Sequence, residues 1–134
     1  PQTLAIVRAV LAEVGGERYA LPLTHVRETL PWSDDAVQRV QGQEVLVLRD
    51  EVMPLMYLRQ VLHSPGETHQ ASADIVVLER GGRRAGLVVD ELKGQQDIVV
   101  KQFDAVRDGL ALFSGATILA DGRPALIMDV GSLL

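Results

Sequence analysis

The stretch Gly15-Gly16-Glu17-Arg18-Tyr19-Ala20-Leu21 has a counterpart in the second half of the chain, Gly81-Gly82-Arg83-Arg84-Ala85-Gly86-Leu87. A second pair follows in the same order, Val47-Leu48-Arg49-Asp50 with Ile118-Leu119-Ala120-Asp121. In both pairs the two copies lie about half the chain apart. A solenoid needs at least three units, so a repeat found twice predicts two similar lobes related by duplication. Chance matching of turn signals is the alternative.

Each half of the chain carries the pattern of short antiparallel strands. Gly81-Gly82 and Asp121-Gly122 each separate two apolar runs, and glycine supplies the positive φ that a hairpin turn needs. Residues 97–103 alternate as a further strand. Helical periodicity is confined to short stretches at 24–29, 56–62 and 132–134. The sequence therefore predicts an all-β fold of small barrels, since closure removes exposed strand edges.

Composition narrows the possible functions. The 134 residues contain no cysteine, which excludes disulfides, thiolate zinc sites and a thiol nucleophile. The formal net charge of -5 opposes binding to nucleic acid, and no apolar run approaches the ~20 residues of a membrane-spanning helix. The chain begins with Pro1 rather than methionine, which suggests a piece of a longer polypeptide. A soluble, cytoplasmic domain with a neighbouring domain is expected.

Several motifs together resemble a known family. They are Leu4-Ala5-Ile6-Val7, the run from Val14 to Leu23, Gly86-Leu87-Val88-Val89-Asp90-Glu91-Leu92, and Ser114-Gly115-Ala116-Thr117-Ile118-Leu119. In this order they are similar to the CheW-like regulatory domain at the C-terminal end of CheA-type chemotaxis histidine kinases. Pro124 and the loop at 106–113 depart from the family pattern.

The resemblance implies a single CheW-like domain, 1–134, made of two intertwined five-stranded SH3-like barrels with a few short helices. Subdomain one would span roughly 13–66, and subdomain two roughly 4–12 plus 72–134, with the first strand completing the second barrel. The implied function is docking: the domain binds the CheW-type adaptor and the cytoplasmic tip of chemoreceptors, and couples receptor state to the kinase domain of the same chain. It would act in the cytoplasm, at receptor arrays.

One partner-binding patch is predicted around Pro54. Proline donates no N–H, so it is tolerated in a sheet mainly at an edge or a bulge, and the run from Val52 to Leu55 is therefore predicted to be an edge. An apolar edge pairs readily with a partner. Val52 and Met53, with Val45 and Val47 across the hairpin, are the predicted contacts. Burial of these residues in the first barrel is the alternative.

Leu92 is predicted to contribute a second patch, from its position after Val89-Asp90-Glu91 in the family motif. Burial between the two lobes is the alternative for Leu92. Trp32 fits either an interface anchor or a partly buried lid over the first barrel.

No catalytic, cofactor or metal site is predicted. His25, His63 and His69 lack metal-ligand spacing, and Asp90 and Glu91 are adjacent on a strand, so their carboxylates point to opposite faces. The Gly81-Gly82 turn lacks the lysine and the following helix of a phosphate-binding loop.

Three other functions remain open. A free-standing CheW-type adaptor would differ only in having no kinase on the same chain. A small hydrolase would use Asp90, Glu91 and Asp97, and would show strongly perturbed carboxylate pKa values. A nucleic-acid binder is opposed by the charge and by the scarcity of aromatic side chains.

Overall fold

Eleven strands make up most of the chain in the computed structural model, which describes residues 4–66, 72–103 and 111–134. Two four-residue helices follow strands, α1 at Leu58–Val61 and α2 at Val130–Leu133. The strands are β1 Ala5–Val14, β2 Glu17–Pro22, β3 Val26–Pro31, β4 Val37–Val40, β5 Gln43–Leu48, β6 Glu51–Tyr57, β7 Asp74–Arg80, β8 Arg83–Val89, β9 Glu91–Gln102, β10 Phe113–Ile118 and β11 Pro124–Met128.

The strands form two barrel-like sheets, which confirms the predicted fold class. One is a closed barrel with the order β1-β2-β11-β10-β9, and we call it the barrel. The other has the order β3-β7-β8-β6-β5-β4, and we call it the open sheet. It curves around one core, because Leu30 in β3 and Val37 in β4 pack against the same hydrophobic cluster. Strand β4 is a sixth strand with no described counterpart in the barrel.

The two halves of the chain exchange hairpins. The hairpin β1–β2 pairs with β9 and β11 from the second half, and the hairpin β7–β8 pairs with β3 and β6 from the first. The exchanged unit is therefore a whole hairpin, whereas the resemblance implied the first strand alone. Sheet membership accordingly follows different boundaries from the expected 13–66 and 4–12 plus 72–134. That residues 1–134 form one domain stays a prediction.

Three hydrophobic clusters result from this exchange. One fills the barrel with side chains such as Leu11, Ile98 and Ile127, and one fills the open sheet with Leu46, Ile75 and others. The third lies between the two sheets and combines residues of β1, β2 and β11 with residues of β7 and β8. Strands β1, β7 and β8 are thus buried on both faces over part of their length, and their apolar runs are nearly continuous for that reason.

Strand β6 lies between β5 and β8, so the predicted edge is wrong for Leu55, whereas Val52 to Pro54 have no described ladder partner on the β8 side. The ladder between β6 and β8 begins only at Leu55. Pro54 pairs across β5 with Val45 and needs no donor towards β8, because the described pairing on that side starts one residue later. Pro54 is therefore accommodated, because the ladder of β6 with β5 ends where its ladder with β8 begins.

The hairpin turns were predicted correctly from their glycines. Gly15 and Gly81 both have φ of 60°, and Gly16 and Gly82 have φ of 81° and 79°. This left-handed backbone region is unfavourable for other residues, so the repeated Gly-Gly pair specifies the same turn in both halves. No helix within the described ranges has the length and apolar character of a membrane span.

Candidate docking surfaces

The hairpin β5–β6 carries four of the five residues predicted to bind a partner. Val47 pairs directly with Val52, and Val45 pairs with Pro54. Since side chains alternate along a strand, Val45, Val47, Val52 and Pro54 share one face, and Met53 lies on the opposite face. The structure therefore divides the predicted patch between the two faces of the hairpin.

Exposure separates these residues further. The Val52 residue is 62% exposed, Val47 is partly buried and Pro54 is exposed, whereas Val45 and Met53 are only 8% and 4% exposed. Met53 belongs to the core of the open sheet, where it packs with Leu46 across the pair. Val45 and Met53 are thus core residues, which was the alternative interpretation, and they offer a partner almost no surface. We call Val47, Val52 and Pro54 the hairpin patch.

Leu92 lies in another part of the molecule. It is partly buried at the start of β9 and packs against the cluster between the two sheets, and its backbone N–H donates to the Asp74 carboxylate at 2.9 Å. The structure does not place Leu92 in a cluster with the hairpin patch. Its side chain packs partly between the barrel and the open sheet.

A network of charged side chains borders the hairpin patch. Arg84 donates to both Glu79 and Glu51, and Arg27 lies 3.3 Å from Glu79. The hydrogen bond from Arg84, supported by Arg27, lowers the pKa of Glu79, and the hydrogen bonds to Glu51 and Glu79 raise the pKa of Arg84. The lowered pKa keeps the Glu79 carboxylate ionised at neutral pH, where it holds the guanidinium of Arg84 in place.

A groove of about 360 Å³ lies between this network and the hairpin patch. Its lining includes Val52 and Pro54 on one side and Glu79 and Arg84 on the other. Next to it, the exposed Arg49 in the β5–β6 turn pairs with Glu28, with N–O distances of 2.6 and 2.8 Å. An apolar surface with a rim of fixed charges is suited to protein recognition.

Sequence reasoning missed the charged network, although the repeat contains a signal for it. Arg18 and Arg84 occupy the same place in the two Gly-Gly stretches, and each lies opposite a glutamate on the preceding strand, Glu13 or Glu79. In the barrel, Arg18 contacts Glu13 and Asp121 at 3.4 Å each. The repeat thus encodes an arginine clamp between two carboxylates at the end of each sheet.

The acidic residues of the hydrolase alternative lie in separate ion pairs. Asp90 accepts hydrogen bonds from Arg59 and from the backbone N–H of Gly15, Asp97 pairs with Arg8, and Glu91 pairs with Lys93. Among the described residues, no group of three His, Cys, Asp or Glu side chains is placed to hold a metal ion. His69 lies outside the described residues, and so does most of the loop at 106–113.

Trp32 packs against the core of the open sheet. Its indole N–H donates to Asp34 at 2.8 Å, and its ring lies 6.4 Å from that of Tyr57 between centroids. This contact set favours the lid over the interface anchor for Trp32.

Comparison with known proteins gives one consistent group. The family model described as the CheW-like domain matches residues 8–134. The chain is 42% identical over 135 residues to the chemotaxis protein CheA of Salmonella typhimurium, covering 99% of the chain and 20% of that protein. It is 36% identical over 135 residues to the sensor histidine kinase CheAY of Helicobacter pylori, covering 100% of the chain and 17% of that protein.

A solved structure shares the fold. The scaffolding protein CheW of Thermoanaerobacter tengcongensis superposes with a TM-score of 0.79 and 19% identity, covering 93% of this chain and 90% of that one. At this identity the likeness concerns the fold. The chain spans about a fifth of the length of the curated relatives named above.

Proposed function

The chain belongs to the CheW-like domain family, and from this membership we propose that it is the regulatory and scaffolding domain of a chemotaxis histidine kinase. Its alignment over nearly the whole chain with part of much longer CheA proteins supports the kinase-linked version. In this proposal the domain docks a CheW-type adaptor and the cytoplasmic tip of a chemoreceptor. It acts in the cytoplasm at receptor arrays and passes the receptor state to the kinase domain of the same chain.

The hairpin patch is the single observation that carries the docking proposal. Val52 exposes 62% of its surface beside a groove, although a valine in a strand is usually placed to bury its side chain. Covering an apolar side chain of this size contributes roughly 1.5–3 kcal/mol, and energetically important contacts concentrate in such a centre. Val47, directly opposite in the register, extends the same apolar surface.

The charged rim would control orientation. Arg84 is held between Glu51 and Glu79, so its position is fixed before a partner arrives, and little side-chain entropy is lost on docking. Charges at a rim set register and association rate more than affinity. The domain would therefore act by surface complementarity, without a catalytic step of its own.

Calorimetric titration of the chain with a CheW-type adaptor from the same source tests this function. We expect Val52→Asp to weaken binding at least about tenfold, because it places a charge in the apolar centre that the partner would desolvate. Val40→Asp is the matched control, since Val40 is 53% exposed in β4 of the same sheet. Absence of binding by the unmodified chain would refute the docking function, whereas equal effects of the two substitutions would refute the hairpin patch.

Leu92 remains the second proposed contact and needs its own variant. Because Leu92 packs partly on the cluster between the sheets, Leu92→Gln is preferable to an acidic substitution. We expect weaker adaptor binding with an unchanged melting temperature. A fall in melting temperature with unchanged affinity would assign Leu92 to the core alone.

A free-standing adaptor is the second candidate function. The whole-chain superposition on a CheW scaffolding protein, which this chain covers to 90%, favours it. An immunoblot of the source cells separates the two, because a free adaptor would migrate near 14.6 kDa and a kinase about five times higher.

A further inference from the structure

The hairpin turn of the open sheet carries two arginines that face each other. Arg80 ends β7 and Arg83 begins β8, and the two residues pair directly across the Gly81-Gly82 turn. Cross-strand partners point to the same side of a sheet, so both guanidinium groups project from one face. Like charges placed directly opposite each other destabilise a hairpin. The arginine pair is therefore unfavourable for the hairpin itself.

Neither arginine has a partner among the residues that the structure describes. Both are exposed and form no hydrogen bond or ion pair there, whereas every other arginine within the described ranges donates to a carboxylate or to a backbone carbonyl. The chain contains 18 acidic and only 13 basic residues, so carboxylates are in excess. Two uncompensated positive charges thus lie side by side in an acidic molecule.

The repeat shows that the turn itself does not require arginines. The equivalent positions around Gly15-Gly16 in the barrel are Val14 and Glu17, which pair in the same register. The two turns have the same backbone conformation, because the first glycine of each has φ of 60° and the second has φ near 80°. The arginine pair is therefore particular to the open sheet.

A pocket of about 220 Å³ lies beside the two arginines, and Gly131 of α2 and Leu134 complete its wall. The Arg80 guanidinium lies against Gly131, since a Cβ added at Gly131 would be 2.9 Å from the Cζ atom of Arg80. The carboxylate of Asp129 accepts a hydrogen bond from the Gly131 N–H at 3.1 Å and forms no ion pair with Arg80 in the described structure. Glycine at position 131 thus leaves the space that the guanidinium occupies.

This pocket is separate from the hairpin patch, although both lie near the same turn. Leu78, two residues before Arg80, packs in the cluster between the two sheets, and side chains two residues apart share a face of a strand. Glu79 and Arg84 project from the opposite face, where they line the groove beside Val52. A ligand bound by the arginine pair would therefore leave the hairpin patch free.

We propose that Arg80 and Arg83 form a binding site for a phosphate group. A phosphate group carries a charge of about −1.5 to −2 at neutral pH, which matches two guanidinium groups, and its oxygens accept their paired N–H donors. The pocket is small, so it fits a compact oxyanion better than a length of polypeptide. The phosphate is either the free ion or a group carried by a phosphorylated side chain. This inference goes beyond adaptor docking and does not depend on it.

Titration of the chain with inorganic phosphate, followed by amide resonances at an ionic strength held constant with sodium chloride, tests the proposal. We expect the amide signals of Gly81 and Gly82 to shift and to saturate at millimolar phosphate. Arg80→Gln and Arg83→Gln should each raise the dissociation constant at least about tenfold, because each removes a charge-assisted contact. Lys101→Gln is the matched control, since it removes one positive charge from an exposed position in β9, and binding should be unchanged.

Gly131→Ala tests the geometry of the site without changing its charge. The added Cβ would displace the Arg80 guanidinium, whereas alanine in place of glycine favours α2. We expect weaker phosphate binding together with an unchanged or higher melting temperature. Phosphate affinity equal to that of the unmodified chain would contradict the proposed pocket.

Two tripeptides distinguish the source of the phosphate. Shifts of the same amides by Ala-phosphoserine-Ala would assign the site to a phosphorylated side chain, and shifts by inorganic phosphate alone would assign it to the free ion. Equal binding of Ala-Glu-Ala would overturn the proposal, because the site would then recognise any acidic peptide. A chain that responds to neither phosphate probe, or shifts that persist in both Arg→Gln variants, would remove the site.

Discussion

The barrel and the open sheet share a similar hairpin but differ in whether their end strands pair. Each contains a Gly-Gly hairpin whose arginine is clamped by two carboxylates, Arg18 in the barrel and Arg84 in the open sheet. The Arg18 side chain is 17% exposed and the Arg84 side chain 31%. The barrel is closed by pairing of β9 with both β1 and β10, whereas β3 and β4, the end strands of the open sheet, are not paired with each other in the described structure.

This difference explains why the groove lies on the open sheet. Its second hairpin, β5–β6, pairs with β8 only from Leu55 onwards, so Glu51 to Pro54 leave a space beside Arg84. In the barrel the corresponding arginine, Arg18, forms ion pairs with Asp121 and Glu13. Arg123 donates a hydrogen bond to the Gly16 carbonyl at 2.7 Å. Two similar sheets thus differ at their ends: in the barrel the arginine is tightly held, and in the open sheet there is room for a partner.

The largest expected loss of stability comes from the contact that joins the barrel to the open sheet, which we call the joint. Arg59 in α1 of the open sheet donates to Asp90, which also binds the Gly15 N–H in the barrel, and Arg59 is only 9% exposed. Arg59→Ala leaves the Asp90 carboxylate without its buried partner, which costs about 3–5 kcal/mol. Urea unfolding measures this loss. Arg49→Ala, which removes an exposed pair, is expected to cost less than about 1 kcal/mol, and equal losses would contradict the assigned role of the joint.

The two regions also differ in what surrounds a glycine where strands approach closely. A Cβ added at Gly115 in the barrel would lie 2.4 Å from the carbonyl oxygen of Lys101, which belongs to the backbone. A Cβ at Gly86 in the open sheet would lie 2.8 Å from a Leu46 methyl, which can move. We expect Gly115→Ala to lower the free energy of unfolding by about 3 kcal/mol and Gly86→Ala by about half of that. Thermal melts in the reverse order would contradict the comparison.

The two arginine clamps are expected to differ in their contribution to stability. Arg18→Ala removes a largely buried guanidinium from between Glu13 and Asp121, and should cost about 2 kcal/mol. Arg84→Ala should destabilise the fold less, because solvent can reach Glu51 and Glu79, yet it should slow adaptor association. Urea unfolding together with stopped-flow binding measures both effects. An Arg84 variant that loses stability and keeps its association rate would show that Arg84 stabilises the fold and does not guide docking.

The smallest effect concerns one tyrosine in each region. Burial and the hydrogen bond to Glu44 raise the pKa of Tyr57 to about 12, and burial beside Glu17 also raises the pKa of Tyr19. Because the unfolded phenol ionises near pH 10, the stability that Tyr57 contributes is complete below pH 10 and is lost as the pH rises towards 12. We expect Tyr57→Phe to flatten the stability profile between pH 10 and 12 by about 1–2 kcal/mol. An unchanged slope would contradict the buried Tyr57–Glu44 contact.

Local sequence signals predicted the hairpins well, because a glycine turn depends on few neighbouring residues. The Gly81-Gly82 and Asp121-Gly122 turns lie where they were expected, and residues 97–103 contain the alternating part of β9. The exchange of whole hairpins could not be read from these signals, since pairing partners half a chain apart leave no local trace. The edge prediction for β6 holds for Val52 to Pro54 only, because proline indicates a missing donor on one side, and the late start of the β8 ladder provides that gap inside the sheet.

The candidate site was predicted only in part. Val45, Val47, Val52 and Met53 form one apolar hairpin in the sequence, but alternation across the pair and burial by neighbouring strands decide which of them is exposed. The arginine clamps were present in the repeat as Arg18 and Arg84. Their significance appeared only when the opposite strand placed Glu13 and Glu79 beside them.

Nuclear magnetic resonance of the methyl groups of the chain, recorded with and without the CheW-type adaptor, tests whether the open sheet provides the adaptor-docking surface. We expect the methyl signals of Val47 and Val52 to shift or broaden most and that of Met53 beneath them to shift less. Val40, which pairs with Gln43 at the opposite end of β5 from Val47, is expected to stay unchanged. Shifts confined to Ile6, Val99 and Ile118, which are exposed on the barrel, with the hairpin signals unaltered, would contradict the claim that the open sheet provides the adaptor-docking surface.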